Sequence, residues 1–462
     1  MASVLLVLPF LVASLFYLRD VFSGVWPPYP GDRREDPQLG KPWPMWPVDN
    51  PGDWLPNGLD LADVNGDGYP DLLVNYEFRG RIRVVLHPGP NLSRWAYWPA
   101  VDAGRFPNAE NAAFGDLDGD GHVDIVVAHG LEWTWEEPGI SVLWGEGGLR
   151  WARGGTLPES RGGWHFLEVQ VADLDGDGFP DIVAGGRANR PAGGPKDPQA
   201  LRGLRYAGLR AFRNPKGRGG NPRDLAQWTS FPIDPAVPSG HGFVLCDFDG
   251  DGFLDLALNN ADWDTPEEEE AILVYRNPGR SGGEGWPRFV LYRSPEFYGK
   301  EQVAAGDLDG DGRPDLAAQA ELEVHLFYNR TPPGGPLRFA HVRVGKPPSL
   351  RWRARPIALA DLNGDERLDL VGASIHRDGL LPKEVAAVWG LAQTAEGWVP
   401  HVIKWGSGFL GLGPFNGEKW DRLIPLDVDG DGDLDLVGNV EEFNRLESYL
   451  AVVWWENPRL AR

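Results

Sequence analysis

The sequence has little of several residue types, and each shortage excludes a class of protein. It has one cysteine, Cys246, so neither an internal disulfide nor a cysteine-based zinc cluster can form. Basic residues are outnumbered, with 44 Lys and Arg against 67 Asp and Glu, which gives a net charge of -23. A chain this acidic is a poor candidate for binding nucleic acid through phosphate neutralisation. Its charge suits the binding of cations.

Long apolar runs are also scarce, and the N-terminus carries the one that stands out. Residues 3–18 form an apolar run of 16 residues, which as a helix would span about 24 Å, less than a bilayer core of about 30 Å. This length fits a signal peptide. We predict a signal peptide or short anchor at 1–23, a linker at 24–41, no multi-span membrane insertion, and a secreted, periplasmic or cell-surface location.

A nine-residue pattern, D-x-[DN]-G-D-G-x-x-D, repeats along the rest of the chain. Successive copies begin 53 to 74 residues apart, an irregular period that is typical of propeller blades with variable loops. We number the positions of each copy 1 to 9 and call the copies loops one to seven. The seven loops are 63–71, 116–124, 173–181, 247–255, 307–315, 361–369 and 427–435.

Short β-like segments surround every loop. Apolar segments come before and after it, as at 112–115 and 124–127, and a third segment often ends in Asn-Pro, as at 457–458. A fourth begins near a tryptophan. With 61 glycines and 42 prolines favouring tight turns over long helices, this predicts an all-β fold: a seven-bladed β-propeller with four-stranded antiparallel blades.

The two ends of the chain predict how the ring closes. Residues 95–102 and 228–234 are interpreted as fourth strands, and residues 43–49 carry a similar Trp-to-Asp segment before loop one. The last unit ends after its third strand. Pairing the spare N-terminal strand with that unit would remove two exposed edges. We therefore predict one propeller domain at 42–458, closed by an N-terminal strand.

The spacing of the acidic residues predicts calcium sites. Calcium takes six to eight oxygen ligands, and side chains at positions 1, 3 and 5 converge when a loop curls tightly. Position 7 offers its backbone carbonyl, position 9 completes the site, and glycines at 4 and 6 permit the curl. Position 12 is apolar, unlike the Glu of an EF-hand. We predict up to seven Ca²⁺ ions, mainly structural.

The predicted metal ligands are Asp63, Asn65, Asp67, Tyr69 and Asp71 in loop one; Asp116, Asp118, Asp120, His122 and Asp124 in loop two; Asp173, Asp175, Asp177, Phe179 and Asp181 in loop three; Asp247, Asp249, Asp251, Phe253 and Asp255 in loop four; Asp307, Asp309, Asp311, Arg313 and Asp315 in loop five; Asp361, Asn363, Asp365, Arg367 and Asp369 in loop six; and Asp427, Asp429, Asp431, Asp433 and Asp435 in loop seven.

The pattern resembles the FG-GAP and VCBS repeats of integrin α-subunits and of many secreted bacterial proteins. The resemblance implies a calcium-braced seven-bladed propeller used for adhesion or ligand binding. Loops one and six depart from the pattern because Asn65 and Asn363 replace an aspartate at position 3. Loop six also has Glu366 where the other loops have glycine at position 6, so its site should be the weakest.

The face opposite these loops carries the candidate ligand site. There the loops differ in length and chemistry, and polar residues precede the first strands. The candidates are Glu110, Asn111, His241, Glu301, Arg355, Asp421 and Arg422 at the mouth of the channel, with Trp133, Trp135 and Trp263 on its rim. This mixture suits a polar ligand, either a glycan or a protein. A binding or adhesion module is the favoured function.

An enzyme is the alternative function. His241, Glu301, Arg355 and Asp421 include an acid, a base and an electrostatic partner. Some carbohydrate lyases and sugar dehydratases use propellers that resemble this one, so a carbohydrate-active enzyme of either type stays open. The sequence has no nucleophile elbow, His-based zinc motif or phosphate loop, so we assign no catalytic residue. Cys246 precedes loop four and is predicted to be a small packing residue.

Overall fold

The computed structural model describes most of the chain between residues 42 and 458. The described part omits residues 54, 131–137, 163, 189–205, 262–264, 267–268, 280–284, 294–301, 321–322, 346–353, 375–385, 406–417 and 444–450. The predicted signal peptide and linker at 1–41 lie outside it.

Seven four-stranded antiparallel sheets form the predicted blades. Blade 1 is β2 (Pro56–Ala62), β3 (Asp71–Tyr76), β4 (Arg81–Val85) and β5 (Ala100–Arg105). Blade 2 is β6 (Ala109–Gly115), β7 (Asp124–His129), β8 (Gly139–Gly145) and β9 (Trp151–Thr156). Blade 3 is β10 (His165–Ala172), β11 (Asp181–Ala188), β12 (Tyr206–Arg213) and β13 (Thr229–Asp234). Blade 4 is β14 (Val244–Cys246), β15 (Asp255–Asn260), β16 (Ala271–Tyr275) and β17 (Arg288–Tyr292).

The remaining blades have the same order. Blade 5 is β18 (Val303–Gly306), β19 (Asp315–Ala320), β20 (Glu323–Asn329) and β21 (Phe339–Gly345). Blade 6 is β22 (Ala354–Ala360), β23 (Asp369–Ser374), β24 (Ala386–Thr394) and β25 (Gly397–Trp405). Blade 7 is β26 (Glu418–Leu426), β27 (Asp435–Phe443), β28 (Val452–Trp455) and the N-terminal β1 (Met45–Asp49).

Helical structure in the described residues is limited to short 3₁₀ turns, four of which have all three residues described. These turns are Gly89–Asn91, Pro158–Ser160, Lys216–Arg218 and Leu225–Gln227. Among those residues, no helix has the length and apolarity needed to cross a bilayer.

The second strand of a blade is more buried than the fourth, outer strand. Every residue of β3 is buried, whereas β5 has none that is fully buried. The apolar core accordingly lies between blades: Leu73 and Ile82 of blade 1 pack with Ile125 and Leu143 of blade 2 in one cluster. Similar clusters join the other neighbouring blades. Because each blade buries its faces against two neighbours, the ring gains stability from being closed.

The N-terminal strand closes the ring as predicted. Strand β1 pairs antiparallel with β28, with Met45 opposite Trp455 and Trp46 opposite Trp454. The Trp46 indole also donates to the Glu456 carboxylate at 2.9 Å. The strand begins at Met45, two residues after the predicted start. This pairing covers the edge that the last blade would otherwise expose.

One predicted strand start was wrong. Residues 95–102 were interpreted as the fourth strand of blade 1, but β5 begins only at Ala100. The Trp95 ring packs edge-on against Trp46 at 4.8 Å between ring centroids, so the chain turns toward the closing strand before it pairs with β4. Because Trp95 packs on Trp46 of the closing strand, the fourth strand of blade 1 begins at Ala100 and not at Trp95.

Removing residues 1–50 should destabilise the last blade. The deletion exposes the edge of β28 and removes Val48, which is fully buried, so we expect aggregation and a lower melting temperature. Size-exclusion chromatography and thermal denaturation measure both effects. A matched deletion of residues 1–41 keeps β1 and should behave as the full chain does. An equally soluble and stable protein without residues 1–50 would contradict closure by β1.

Candidate functional site

The carboxylate at position 1 curls each loop around itself. In loop four, Asp247 Oδ1 accepts from the backbone N–H groups of Gly250 and Asp251 at 2.8 and 3.1 Å. Asp247 Oδ2 accepts from the N–H of Gly252 at 2.8 Å. Loops one, three and six repeat all three hydrogen bonds. The curl brings the side chains of positions 1, 3 and 5 to the same side of the loop.

Positions 4 and 6 lie in the left-handed region of the backbone. The position 4 glycines have φ between 64° and 74°, and the position 6 glycines between 83° and 91°. Glu366, at position 6 of loop six, has φ of 67°. A side chain in this region costs about 1–2 kcal/mol relative to ordinary backbone angles. Glu366 therefore carries backbone strain that the glycines of the other six loops avoid.

The aspartate at position 9 has a structural role that the sequence did not reveal. In loop four, Asp255 Oδ2 accepts from the N–H of Phe248 at 3.0 Å, and Oδ1 accepts from the N–H of Asn277 at 2.7 Å. The first bond closes the loop, and the second holds the end of the third strand. The same two bonds form in every blade, through Asp71, Asp124, Asp181, Asp255, Asp315, Asp369 and Asp435.

Burial of these aspartates perturbs their ionisation. Loss of solvent, together with repulsion from neighbouring loop carboxylates, raises the pKa of Asp124 and Asp255 to about 7. Burial and two nearby carboxylates raise the pKa of Asp435 to about 8. The ionised loops therefore carry negative charge that solvent does not fully stabilise, and a bound cation would stabilise it.

In five loops the carboxylates converge closely enough to hold an ion. Three side chains in each of these loops offer oxygens within 4.8 Å of one another. The five groups are Asp116, Asp118 and Asp124; Asp173, Asp175 and Asp177; Asp247, Asp249 and Asp251; Asp307, Asp309 and Asp311; and Asp427, Asp429 and Asp435. Within the described residues, no such group of three forms in loops one and six, which have asparagine at position 3.

Buried oxygens without partners show that these residues fit a cation. Asp175 Oδ1, Asp249 Oδ1 and Asp429 Oδ1 are buried and have no hydrogen-bond partner in the structure. A buried acceptor left unsatisfied costs about 1–3 kcal/mol, and more when charged. Hard oxygen donors of this kind suit Ca²⁺ better than softer metals. The donor set therefore fits the predicted calcium, which would bind between the carboxylates of each loop.

The asparagine that follows a third strand joins neighbouring blades. Asn277 Nδ2 donates to the carbonyl of Leu174, in the loop of the previous blade, at 2.9 Å. Asn214, Asn329 and Asn457 make the corresponding bonds. His87 Nε2 donates to the Val428 carbonyl at 2.9 Å and so joins blade 1 to blade 7. The recurring Asn-Pro was the sequence signal for this contact, but its partner was not predictable.

A buried polar network lies at the starts of the first strands of blades 1, 2 and 3, where the channel mouth is predicted. Glu110 accepts from His165 Nε2 at 3.0 Å and from Asn57 Nδ2 at 3.1 Å. Burial alone would raise the pKa of Glu110, but the bond and charge of His165, with Arg187 and His241 nearby, hold it below its usual range. The predicted residues Glu110 and His241 therefore lie near each other. His165 was not predicted from the sequence, because 55 residues separate it from Glu110.

A salt bridge crosses the channel. Arg422 of blade 7 binds Glu168 of blade 3, and these blades are not neighbours in the ring. Gln302 of blade 5 donates to the Asp421 carbonyl at 2.7 Å, which adds a second contact between blades that are not neighbours. Asn111 instead holds the adjacent blade, through the N–H of Val169 at 3.1 Å. The first two contacts therefore join residues across the centre of the ring.

Several predicted ligand residues lie outside the described residues. They are Glu301, Trp133, Trp135 and Trp263, together with the side chain of Arg355, whose backbone belongs to β22. Cys246 is half-buried at the end of β14, and burial raises the pKa of its thiol to about 11. A thiol with this pKa is a poor nucleophile, in agreement with a packing role.

Comparison with known proteins agrees with the geometry of the loops. A family model described as an FG-GAP-like repeat matches residues 63–127, 247–318 and 307–372. The fold and its loops define a repeat-built β-propeller. Together with the seven-bladed ring, these three regions support an FG-GAP repeat propeller, and such repeats on a propeller suggest a binding module.

Solved structures of similar shape were also found. The chain is similar to two crystal structures of BBS1N in complex with ARL6DN, one soaked with lead and one with mercury. Each of the two structures is 11% identical in sequence to this chain. The aligned region covers 90% of this chain and 98% of the matched chain, with TM-scores of 0.48 and 0.47. No curated protein matches the chain by sequence.

Replacing Glu366 with glycine should stabilise the protein. Relief of about 1 kcal/mol of strain is partly offset by the greater freedom of glycine in the unfolded chain, so we expect a gain of about 0.5 kcal/mol. Urea denaturation of Glu366→Gly measures it. Glu366→Ala, which removes the charge but keeps the Cβ, is the control and should give little gain. A Glu366→Gly variant no more stable than Glu366→Ala would show that backbone strain is not the cause.

Proposed function

We propose that the protein is a calcium-loaded binding module that acts outside the cell or at its surface. The observation that carries the calcium part is the buried, unpartnered carboxylate oxygen at position 3 of loops three, four and seven. Around it, further loop carboxylates lie within 4.8 Å. The apolar run at 3–18 supports export, and millimolar extracellular calcium would load even weak sites. Fractionation of cells expressing the tagged full-length protein tests the location.

Calcium would act on stability through the loops. Each loop joins the first and second strands of a blade, and position 9 holds the third, so an ion that neutralises the loop stabilises three strands at once. Without the ion, burial and mutual repulsion of the carboxylates oppose folding. A ligand that binds only the folded chain stabilises it by about 2.7 kcal/mol at a hundredfold excess over its Kd.

Chelation should therefore lower the melting temperature. We expect the chain in EGTA to melt several degrees below the chain in millimolar calcium, as measured by differential scanning calorimetry. Magnesium at the same concentration is the control and should restore less, because it prefers a tighter octahedral site. Identical melting curves with EGTA and with calcium would exclude a stabilising calcium site.

We place the ligand site at the channel mouth, opposite the calcium loops. The proposal is supported by the buried network around Glu110 and His165, which offers both charge and hydrogen bonds. The bridge between Arg422 and Glu168, which joins opposite sides of the ring, would keep a ligand at the surface. The face with the acidic loops has seven similar loops, whereas the loops of the opposite face differ in length and residue type. Specific recognition of a ligand requires such differences. A polar ligand such as a glycan suits these groups.

A glycan array that includes acidic polysaccharides, probed in calcium, tests this site. For a glycan that binds, His241→Ala should weaken binding several-fold and leave the calcium-dependent melting unchanged. Asp251→Ala, on the opposite face, is the matched variant: it should lower the melting temperature and keep binding at saturating calcium. The assignment of the face is wrong if His241→Ala binds normally while Asp251→Ala, still folded, loses binding. Cleavage of the bound polysaccharide would favour the enzyme alternative.

A further inference from the structure

Every loop that has aspartate at position 3 is contacted by an arginine. The arginine comes from the end of a third strand or from the turn after it, and in each case it contacts Oδ2 of the aspartate. The five pairs are Arg223 with Asp118, Arg213 with Asp175, Arg276 with Asp249, Arg330 with Asp309, and Arg94 with Asp429. The first and last arginines come from the next blade of the ring, and the other three come from the blade of the loop itself.

The two loops with asparagine at position 3 differ. In the described part of the chain, neither Asn65 nor Asn363 is contacted by an arginine, and the nearest cation in loop six is its own Arg367, which binds Asp365. An aspartate with an arginine carries the same net charge as an asparagine alone. The arginine therefore accompanies the additional carboxylate, so the net charge at position 3 is the same in all seven loops.

The arginine also leaves one oxygen of the carboxylate available. Arg276 binds Asp249 Oδ2, while Asp249 Oδ1 is buried without a partner and the whole side chain is 0% exposed. Arg94 binds Asp429 Oδ2 at 2.8 Å, and Asp429 Oδ1 is likewise buried without a partner. Arg213 Nε lies 3.2 Å from Asp175 Oδ2, and Asp175 Oδ1 is again buried and unpartnered. In three separate loops, therefore, an arginine forms an ion pair with Oδ2 while Oδ1 is buried without a partner.

We propose that these five arginines are positioning residues for the bound cation. Each holds Oδ2 of the position 3 carboxylate, so that Oδ1 is fixed for the ion. The proposal rests on the proposed function, since it requires that the loops bind calcium. A guanidinium fits this task because its planar, fixed donors restrain a carboxylate more than an ammonium group does. Groups that orient metal ligands typically contribute 10- to 100-fold to metal affinity.

Arginine-to-lysine substitution separates positioning from charge. The double variant Arg213→Lys, Arg276→Lys keeps the charge of loops three and four but loses the planar donors. We expect two calcium sites to weaken by about tenfold in a competition titration with a chromophoric chelator. Its melting temperature in EGTA should stay close to that of the unmodified chain, because the charge is unchanged. Arg218→Lys, an exposed arginine after the third strand of blade 3, is the control.

The outcomes are distinguishable. Unchanged affinity at every site in the double variant would overturn the positioning role while leaving calcium binding intact. If the unmodified chain binds no calcium, the proposed function itself fails. A fall in the melting temperature in EGTA as large as that in calcium would show a purely structural role, and would also overturn the proposal.

A second variant tests the pairing without removing any arginine. Asn363→Asp gives loop six the carboxylate but no arginine, and should lower the melting temperature in EGTA through repulsion. Adding Ala392→Arg places an arginine directly before Gln393, as Arg276 stands directly before Asn277, and both following residues donate to position 9. We expect the added arginine to restore the melting temperature and to raise calcium affinity above that of Asn363→Asp. No difference between the two variants would contradict the pairing.

Discussion

The buried carboxylate at position 9 is the interaction on which the rest of the propeller depends. Its two oxygens hold the loop between the first two strands and the start of the turn after the third, in every blade. The residue that donates the second bond is often an asparagine, whose side chain then reaches the loop of the previous blade. The position 9 carboxylate thus connects the hydrogen bonds within a blade to those between neighbouring blades.

Burying these carboxylates is electrostatically unfavourable, and this explains why arginines and backbone N–H groups surround the acidic loops. Burial raises the pKa of the position 9 aspartates, because a desolvated carboxylate resists ionisation. Further carboxylates at positions 1, 3 and 5 add repulsion. Arginines neutralise part of that charge from outside the loop, and hydrogen bonds from backbone N–H groups stabilise the carboxylates from within it. The remaining negative charge, together with three unpartnered oxygens, is what a divalent cation would neutralise.

The sequence predicted the architecture because its signals are local. Seven nine-residue loops, the strands beside them and the spare segment at 43–49 are each contained in a short stretch of chain. Contacts between distant residues were not predictable: Arg422 meets Glu168 across 254 residues, and Asn277 meets Leu174 across 103. Position 9 was interpreted only as a metal ligand, since no spacing shows which backbone N–H groups face its oxygens. Trp95 was assigned to a strand because its packing on Trp46 depends on the closed ring.

We propose that the seven acidic loops are cation sites built into the propeller scaffold. The most direct measurement is the number of calcium ions that the folded chain retains after equilibrium dialysis against micromolar calcium, counted by atomic emission. Five loops bring three carboxylates together, so about five ions should be retained per chain, with further ions at higher concentration. Retention of no ion, with the chain folded and monodisperse, would contradict the account and leave the acidic loops as structural turns.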